Sequence, residues 1–468
     1  MNLLGLAFAA LVATTAQAAE PRTVFVQLFE WPWKSVAEEC ERYLGPNGFS
    51  AVQVSPPTEH MKSGKNQWWE RYQPVSYKLE TRGGNEAAFA DMIKRCKAVG
   101  VEVYSDVVLN HMSAMENAVG FAGSPHQHFN YPGLYQWQDF HHCGRNAGQH
   151  QDDIINYRDL YELQNCELLN LADLDTGAPY VQDRLAELLR KLLSLGVGGF
   201  RIDASKHMNS EDIKGIFNRV GQKFYALHEL ITGPGEPVPV GPYTETGDVN
   251  VFPYAYGIGM AVKGEDLTSL LQLPSKFGVT SDDAVTFLEN HDLERRPITE
   301  PLVPYVGDKA AHRLGLVFLL TYPYGYPQLY SGYEFKGDYD VGPPVNGAGF
   351  TQSPVDSNGN CLAPWTCAHR VAGVKELVKF RNKASGEFRA SDVLQPEASM
   401  LSFGRGSLGH VLMNAAHGQK TFKVQTRMAP GTYCNILEAR HCAAVREDGM
   451  IEVTLPPRSS FVIQDKQS

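Results

Sequence analysis

Between residue 23 and about residue 333 the chain alternates short β-favouring apolar runs with longer stretches whose apolar positions recur every three or four residues. That alternation is the pattern of parallel strands joined by crossover helices. The strand-like runs fall at 24–29, Ala51–Val54, 101–108, Gly199–Ile202, 224–231, near Tyr243, 285–288 and 328–330. Ser35 stands where it can cap a helix carrying Val36, Cys40, Tyr43 and Leu44 on one face, which Gly45, Pro46 and Gly48 then break. Phe89, Met92, Ile93 and Cys96 mark a second stripe closed by Gly100, and Val181, Leu185, Leu188, Leu189 and Leu192 a third before Gly196. Eight strands with helices between them predict an α/β fold of the closed (β/α)8 TIM-barrel type, with the run near Tyr243 as the sixth strand.

The alternation is interrupted after the third strand by residues 112–170, rich in His, Gly, Asn and aromatic residues. An ordinary connection has about 2 to 6 residues, so the interruption predicts an inserted subdomain. After about Ser385 the helical period gives way to short alternating runs at 411–413, 421–424 and 451–455, the pattern of a C-terminal antiparallel β-sandwich. The expected division is therefore a barrel over 19–111 and 171–384, an insert over 112–170 and a sandwich over 385–468. A chain of 468 residues accommodates it at roughly 150 residues per domain.

The first eighteen residues carry no charged side chain and include an apolar run, 3–12, that is too short to span a bilayer. They predict a signal peptide cleaved after Ala18, and hence a secreted protein. Export changes the reading of the eight cysteines, because an oxidising compartment favours disulfides over metal sites. Cys361 with Cys367, and Cys434 with Cys442, are close pairs without zinc-ribbon spacing, whereas Cys40, Cys96, Cys143 and Cys166 allow three pairings. A net charge of −10 without a long basic run argues against nucleic acid as a partner, and no later segment has the length and apolarity of a membrane span. Neutral ligands stay open.

In a barrel of this kind the C-terminal ends of the strands carry the reactive groups. Four such ends are polar: DVVLNH at 106–111, GFRIDASKH at 199–207, HELI at 228–231 and ENHD at 289–292. A strand period of two puts Arg201 and Asp203 on one face, and Asn290 on the same side as Asp292. Any one of Asp203, Glu229 and Asp292 reads most simply as half of a structural ion pair. Three acids converging from three strand ends do not, because like charges in a low-dielectric site repel unless one is protonated, and that cost points to catalysis.

These motifs, with ADLD at 172–175 and in the same order, resemble the alpha-amylase family of glycoside hydrolases, in its animal-type branch shared with some bacteria. The resemblance implies Asp203 as nucleophile, Glu229 as general acid and then base, and Asp292 as stabiliser of the distorted sugar. A retaining glycosidase needs such a pair of carboxyls about 5 Å apart, one of them protonated near neutral pH. Apolar neighbours and the charge of Asp203 are expected to raise the pKa of Glu229, while Arg201 holds Asp203 ionised. His111 and His291 would contact sugar hydroxyls, Lys206 the neighbouring sugar, and Trp69, Tyr72 and Gln73 the aromatic-polar wall. Read as a strand, the Trp68–Trp69 pair sends one ring inward to the core.

The resemblance further implies a structural calcium ion held by Asn110 and Asp173 with carbonyls of Gln164 and His207. It also implies an activating chloride held by two Arg residues and an Asn. Arg201 and Asn290 match that set, but Gln328 stands at the second Arg, so chloride-independent activity is expected. It pairs the cysteines as Cys40–Cys96, Cys143–Cys166, Cys361–Cys367 and Cys434–Cys442. The implied function is that of a secreted, monomeric, retaining endo-acting alpha-amylase cleaving α-1,4 links in starch or glycogen. The rivals are an α-glucan transglycosylase, an exo-acting maltooligosaccharide hydrolase and, with the acids retired, a carbohydrate-binding protein.

Overall fold

Eight parallel strands close the barrel that the alternation predicts. They are β1 (Phe25–Leu28), β2 (Ala51–Val54), β3 (Glu102–Val107), β4 (Gly199–Ile202), β5 (Tyr225–His228), β6 (Asp248–Asn250), β7 (Ala284–Thr286) and β8 (Tyr326–Ser331). Each pairs in parallel with the next, and β8 closes on β1 through Phe25–Gln328 to Leu28–Ser331. The computed structural model describes residues 21–145, 152–233, 235–296 and 302–465, so the expected signal peptide at 1–18 lies outside the described residues.

The helices follow their stripes. Glu86–Ala98 buries Phe89, Met92, Ile93 and Cys96, and the Asn85 side chain caps it by accepting from the Ala88 N–H. Pro179–Ser194 starts on a proline, buries Val181, Leu185, Leu188, Leu189 and Leu192, and hands over to β4 through Gly196 at φ +100°.

Two local expectations are corrected. Tyr243 lies in a helical turn, Gly241–Thr244, with its hydroxyl donating to the Met208 carbonyl at 2.7 Å, and the sixth strand is the three-residue Asp248–Asn250. Gly241 and Pro242 favour the turn, and a strand that short has no alternation to read. Ser35 does not cap its helix. The helix begins at Trp33 behind Pro32, whose φ of −70° sets the entry, and the Ser35 hydroxyl bonds Ser353 instead.

The insert contributes a two-stranded ribbon, Asn117–Val119 with Pro125–Gln127, and a helix, Leu160–Asn165. Beyond the barrel, two four-stranded antiparallel sheets face each other across Met400, Leu412, Phe422, Val424, Ile451, Val453, Phe461 and Ile463. This is the expected sandwich. Phe403 packs on Phe318 of the barrel's last crossover helix, Lys309–Thr321, and on Tyr322 just after it, and joins the two units. All four cysteine pairings implied by the resemblance are present. Cys40–Cys96 ties the first two barrel helices and Cys143–Cys166 closes a loop of the insert.

Side chains inside the barrel change character along its axis. At the N-terminal end Phe25, Tyr104, Tyr225 and Tyr326 form an aromatic floor, with ring centroids 4.6–5.6 Å apart for Phe25–Tyr104, Phe25–Tyr326 and Tyr104–Tyr225. Two residues further along, a period of two brings in Gln27, Gln53 and Gln328, with Asn250 from β6 joining them. Charged groups collect at the C-terminal mouth.

Candidate active site

The strand ladders carry Asp203 and Glu229 into this mouth. The Asp203 N–H donates to Val107 O at 3.0 Å and the Glu229 N–H to Ile202 O at 3.0 Å, so each acid sits one residue past its strand but is still held in register. Ala204 turns the chain with φ +50°, a conformation that L-residues seldom adopt. Its N–H thereby meets Glu229 Oε2 at 2.9 Å.

One guanidinium organises the acids. Arg201 Nη1 donates to Asp106 Oδ1 at 2.9 Å, to Asp106 Oδ2 at 3.1 Å and to Asp203 Oδ1 at 2.6 Å, while Nη2 pairs with Glu229 Oε1. Asp106, Arg201, Asp203 and Glu229 are all buried. One cation cannot balance several buried carboxylates, so protons must make up the difference. Burial pushes Glu229 up to about 7, against the pull of Arg201 and with the charge of Asp292 adding to the rise. Burial raises Asp106 to about 6, and it pushes Asp203 up as well, with Arg201 opposing.

Asp292 sits close to Glu229 and beside His291, whose Nε2 lies 3.6 Å from Asp292 Oδ2. The His291 ring is stacked between Phe29, at 4.8 Å, and Tyr72, at 5.0 Å, with Trp68 edge-on at 5.5 Å. The Tyr72 hydroxyl donates to Asp106 Oδ2 at 2.9 Å and joins this aromatic wall to the carboxylates. Asp203, Glu229 and Asp292 thus share one polar mouth, two of them on adjacent nitrogens of a single guanidinium.

A family model described as "Alpha amylase, catalytic domain" matches residues 34–224. The chain is 41% identical over 451 residues to an alpha-amylase of Thermomonospora curvata, covering 93% of this chain and 71% of that one. It is 36% identical to an alpha-amylase of Pecten maximus, over 94% and 91% of the two chains. The chain belongs to the alpha-amylase family. It is a glycoside hydrolase of that family by kinship as well as by fold. A mutant of alpha-amylase I from Eisenia fetida, solved as a maltohexaose complex, superposes with a TM-score of 0.87 at 30% identity, over 96% of this chain and 99% of that one.

Around this alpha-amylase mouth the other expected residues take varied positions. Trp68 and Trp69 lie in a short 3-10 helix, Trp68–Tyr72, not in a strand, and both residues are half-buried. Trp68 is the one packed on His291 and Tyr72, with its indole N–H donating to Tyr339 O at 2.9 Å. The Gln73 side-chain oxygen accepts from the Ala114 N–H at 3.0 Å and so pins the start of the insert. Both ring nitrogens of His111 are engaged, Nε2 with Tyr72 O at 3.0 Å and Nδ1 with the Asn110 amide at 3.2 Å. Lys206 is held by Glu236 at 2.8 Å, with the Tyr157 ring 5.7 Å away. The sequence offered no signal for Glu236, which lies thirty residues from its partner in an aperiodic loop.

Asn110, Gln164, Asp173 and His207 belong to segments that meet beside this mouth. The Asn110 amide donates to Asp173 Oδ1 at 3.1 Å, and His207 Nδ1 lies 2.9 Å from Leu163 O. Gln164 is in the last turn of the helix Leu160–Asn165, where carbonyls lack intrahelical partners. Among the described residues no group of three or more His, Cys, Asp or Glu is placed to hold a metal. The set here has another chemistry, one carboxylate with amide and backbone oxygens, which are hard donors that fit calcium. His141, unnoticed in the sequence, fixes Asp173 from behind, with Nδ1 2.7 Å from Oδ2.

Proposed function

We propose that this alpha-amylase family member is a secreted, retaining, endo-acting enzyme that hydrolyses α-1,4 links of starch and glycogen as a monomer, with Asp203, Glu229 and Asp292 as its catalytic acids. The observation that carries this reading is the shared guanidinium. Asp203 and Glu229 contact the two terminal nitrogens of Arg201, which supports the close arrangement of carboxyls, about 5 Å apart, that a covalent route needs. Asp203 attacks the anomeric carbon and the protonated Glu229 gives its proton to the departing glycosidic oxygen. Glu229 then takes a proton from the water that cleaves the glycosyl-enzyme ester. Asp292, facing His291, stabilises positive charge developing on the ring.

Trp69 and Tyr72 line the sugar-facing wall with Gln73, while Lys206 and His291 donate to hydroxyls. His111, with both nitrogens occupied, walls the subsite. The division of the chain at 19–111 with 171–384, 112–170 and 385–468 belongs to the same reading. The maltohexaose bound by the earthworm relative supports a linear α-glucan ligand. Time-resolved product analysis on soluble starch tests the whole proposal. Early release of mixed maltooligosaccharides with α-configured reducing ends is expected, whereas a single small product or disproportionation without new reducing ends replaces it with exo-action or transfer.

Asn110, Asp173 and the carbonyls of Gln164 and His207 would hold a calcium ion, which would tie the insert to the barrel. At free cation about 100 times Kd, linkage contributes about 2.7 kcal/mol. A chelator is therefore expected to lower the Tm by several degrees, and an unchanged melting curve removes calcium from the reading.

Chloride-independent activity is also proposed. The Gln328 amide is taken up by Gln27, Gln53 and Asn250 and carries no charge, and both terminal nitrogens of Arg201 face carboxylates, so neither of these two positions offers an unpaired cation to an anion. Turnover of a chloride-free sample is expected to stay flat as chloride is titrated in. A severalfold rise contradicts this.

A further inference from the structure

Beneath the mouth, four amide side chains of the barrel interior lead to His291. We propose that Gln27, oriented by Gln328, is a positioning residue that holds His291 as the tautomer protonated on Nε2, a role that rests on the α-glucan reading above. Phe29 and Tyr72 fix the plane of the imidazole by stacking on its two faces but leave its tautomer open. Gln27 Nε2 lies 3.1 Å from His291 Nδ1. An amide NH2 only donates, so this contact requires Nδ1 to be bare.

The amide of Gln27 is oriented from its other end. Its Oε1 accepts from Gln328 Nε2 at 3.4 Å, the same Nε2 reaches Gln53 Oε1 at 3.2 Å, and Gln328 Oε1 accepts from Asn250 Nδ2 at 3.4 Å. Donors therefore point one way, from Asn250 through Gln328 and Gln27 to His291. Turning Gln27 alone sets two NH2 groups against each other. Turning the whole chain protonates Nδ1 and leaves a bare Nε2 facing the Asp292 carboxylate at 3.6 Å, lone pair against lone pair. Only the stated direction satisfies both ends.

Burial and the charges of Arg201 and Arg295 also keep the ring neutral, pushing its pKa well down, so one ring nitrogen is bare at working pH and the amide contact decides which. The consequence is an Nε2–H donor aimed at the cleft beside Asp292 without reorganisation at the moment of reaction.

The full-length protein labelled with 15N-histidine gives the direct test, with the His291 signals assigned from their loss in His291→Asn. A pyridine-like Nδ1 and a pyrrole-like Nε2 are expected in the wild type, and a protonated Nδ1 overturns the proposal. Gln27→Met keeps the volume and removes the amide. On a maltooligosaccharide it is expected to lower kcat roughly ten- to hundredfold with little change in KM, the signature of a contact made chiefly in the transition state. Gln27→Glu supplies an acceptor and is expected to move the proton to Nδ1. Wild-type kcat in Gln27→Met overturns the proposal. If Gln27→Met does not fold, the wild-type spectrum decides alone. An inert wild-type protein sinks the α-glucan reading instead, while the tautomer is still settled by the spectrum.

Discussion

Glu229→Gln is expected to lower turnover of soluble starch by about three orders of magnitude while leaving the fold intact, since positioned proton transfer supplies roughly 10²- to 10⁴-fold. The amide is isosteric and can still accept from the Ala204 N–H, which sits 2.9 Å from Oε2. What it lacks is the proton for the glycosidic oxygen. A glucoside whose leaving group departs without protonation should therefore lose far less in its first step than starch does. The wild-type profile carries the same signature. With Glu229 pushed up to about 7 by burial and by Asp292, the acid form predominates below that value, so kcat/KM should fall as pH rises through about 7. That alkaline limb should vanish in Glu229→Gln. Wild-type turnover of starch by the variant, or an alkaline limb that survives in it, would remove Glu229 from the acid role.

The stripes and strand ends make most of this legible in the sequence. A leucine stripe ending at Gly196 and followed at once by Gly199–Ile202 leaves little freedom in where helix and strand lie, and motif order along the barrel then brings Asp203, Glu229 and Asp292 to one end. What stayed hidden depended on contacts between strands. Arg201 reads from its own strand as the partner of Asp203. Register sets it opposite Asp106 on β3 and Leu227 on β5, which lets its two terminal nitrogens reach three acids. The rise in Glu229 likewise owes part of its size to Asp292, sixty-three residues further on and on another strand end. β6 escaped because three residues with polar ends carry no period, and the Trp68–Tyr72 turn escaped because adjacent aromatics suggest a strand. The amide layer was invisible for a related reason: Gln27, Gln53, Asn250 and Gln328 each look like an isolated polar residue until the barrel closes.

Arg201→Met should be the most damaging single change for stability, and its effect should depend on pH in a stated direction. The side chain is buried and contacts Asp106, Asp203 and Glu229 together, so its loss leaves three buried carboxyls without a cation. Breaking a buried ionic network in this way costs about 3–5 kcal/mol. Asp106 and Glu229 already titrate in the folded protein near 6 and 7, above their ordinary values of 3.8 and 4.5. Between those limits the folded state holds protons that the unfolded chain has released, so these groups make stability fall as pH rises. Arg201 moderates that fall by favouring the ionised forms. Without it the folded pKa values climb further, the fall continues to higher pH, and the variant should lose more stability relative to wild type at pH 8 than at pH 5. Denaturant unfolding of both proteins at the two pH values measures the difference. A loss that is the same at pH 5 and pH 8 would mean that Arg201 supports the mouth by packing alone, and its charge would then have no part in favouring the ionised Asp203 that attacks.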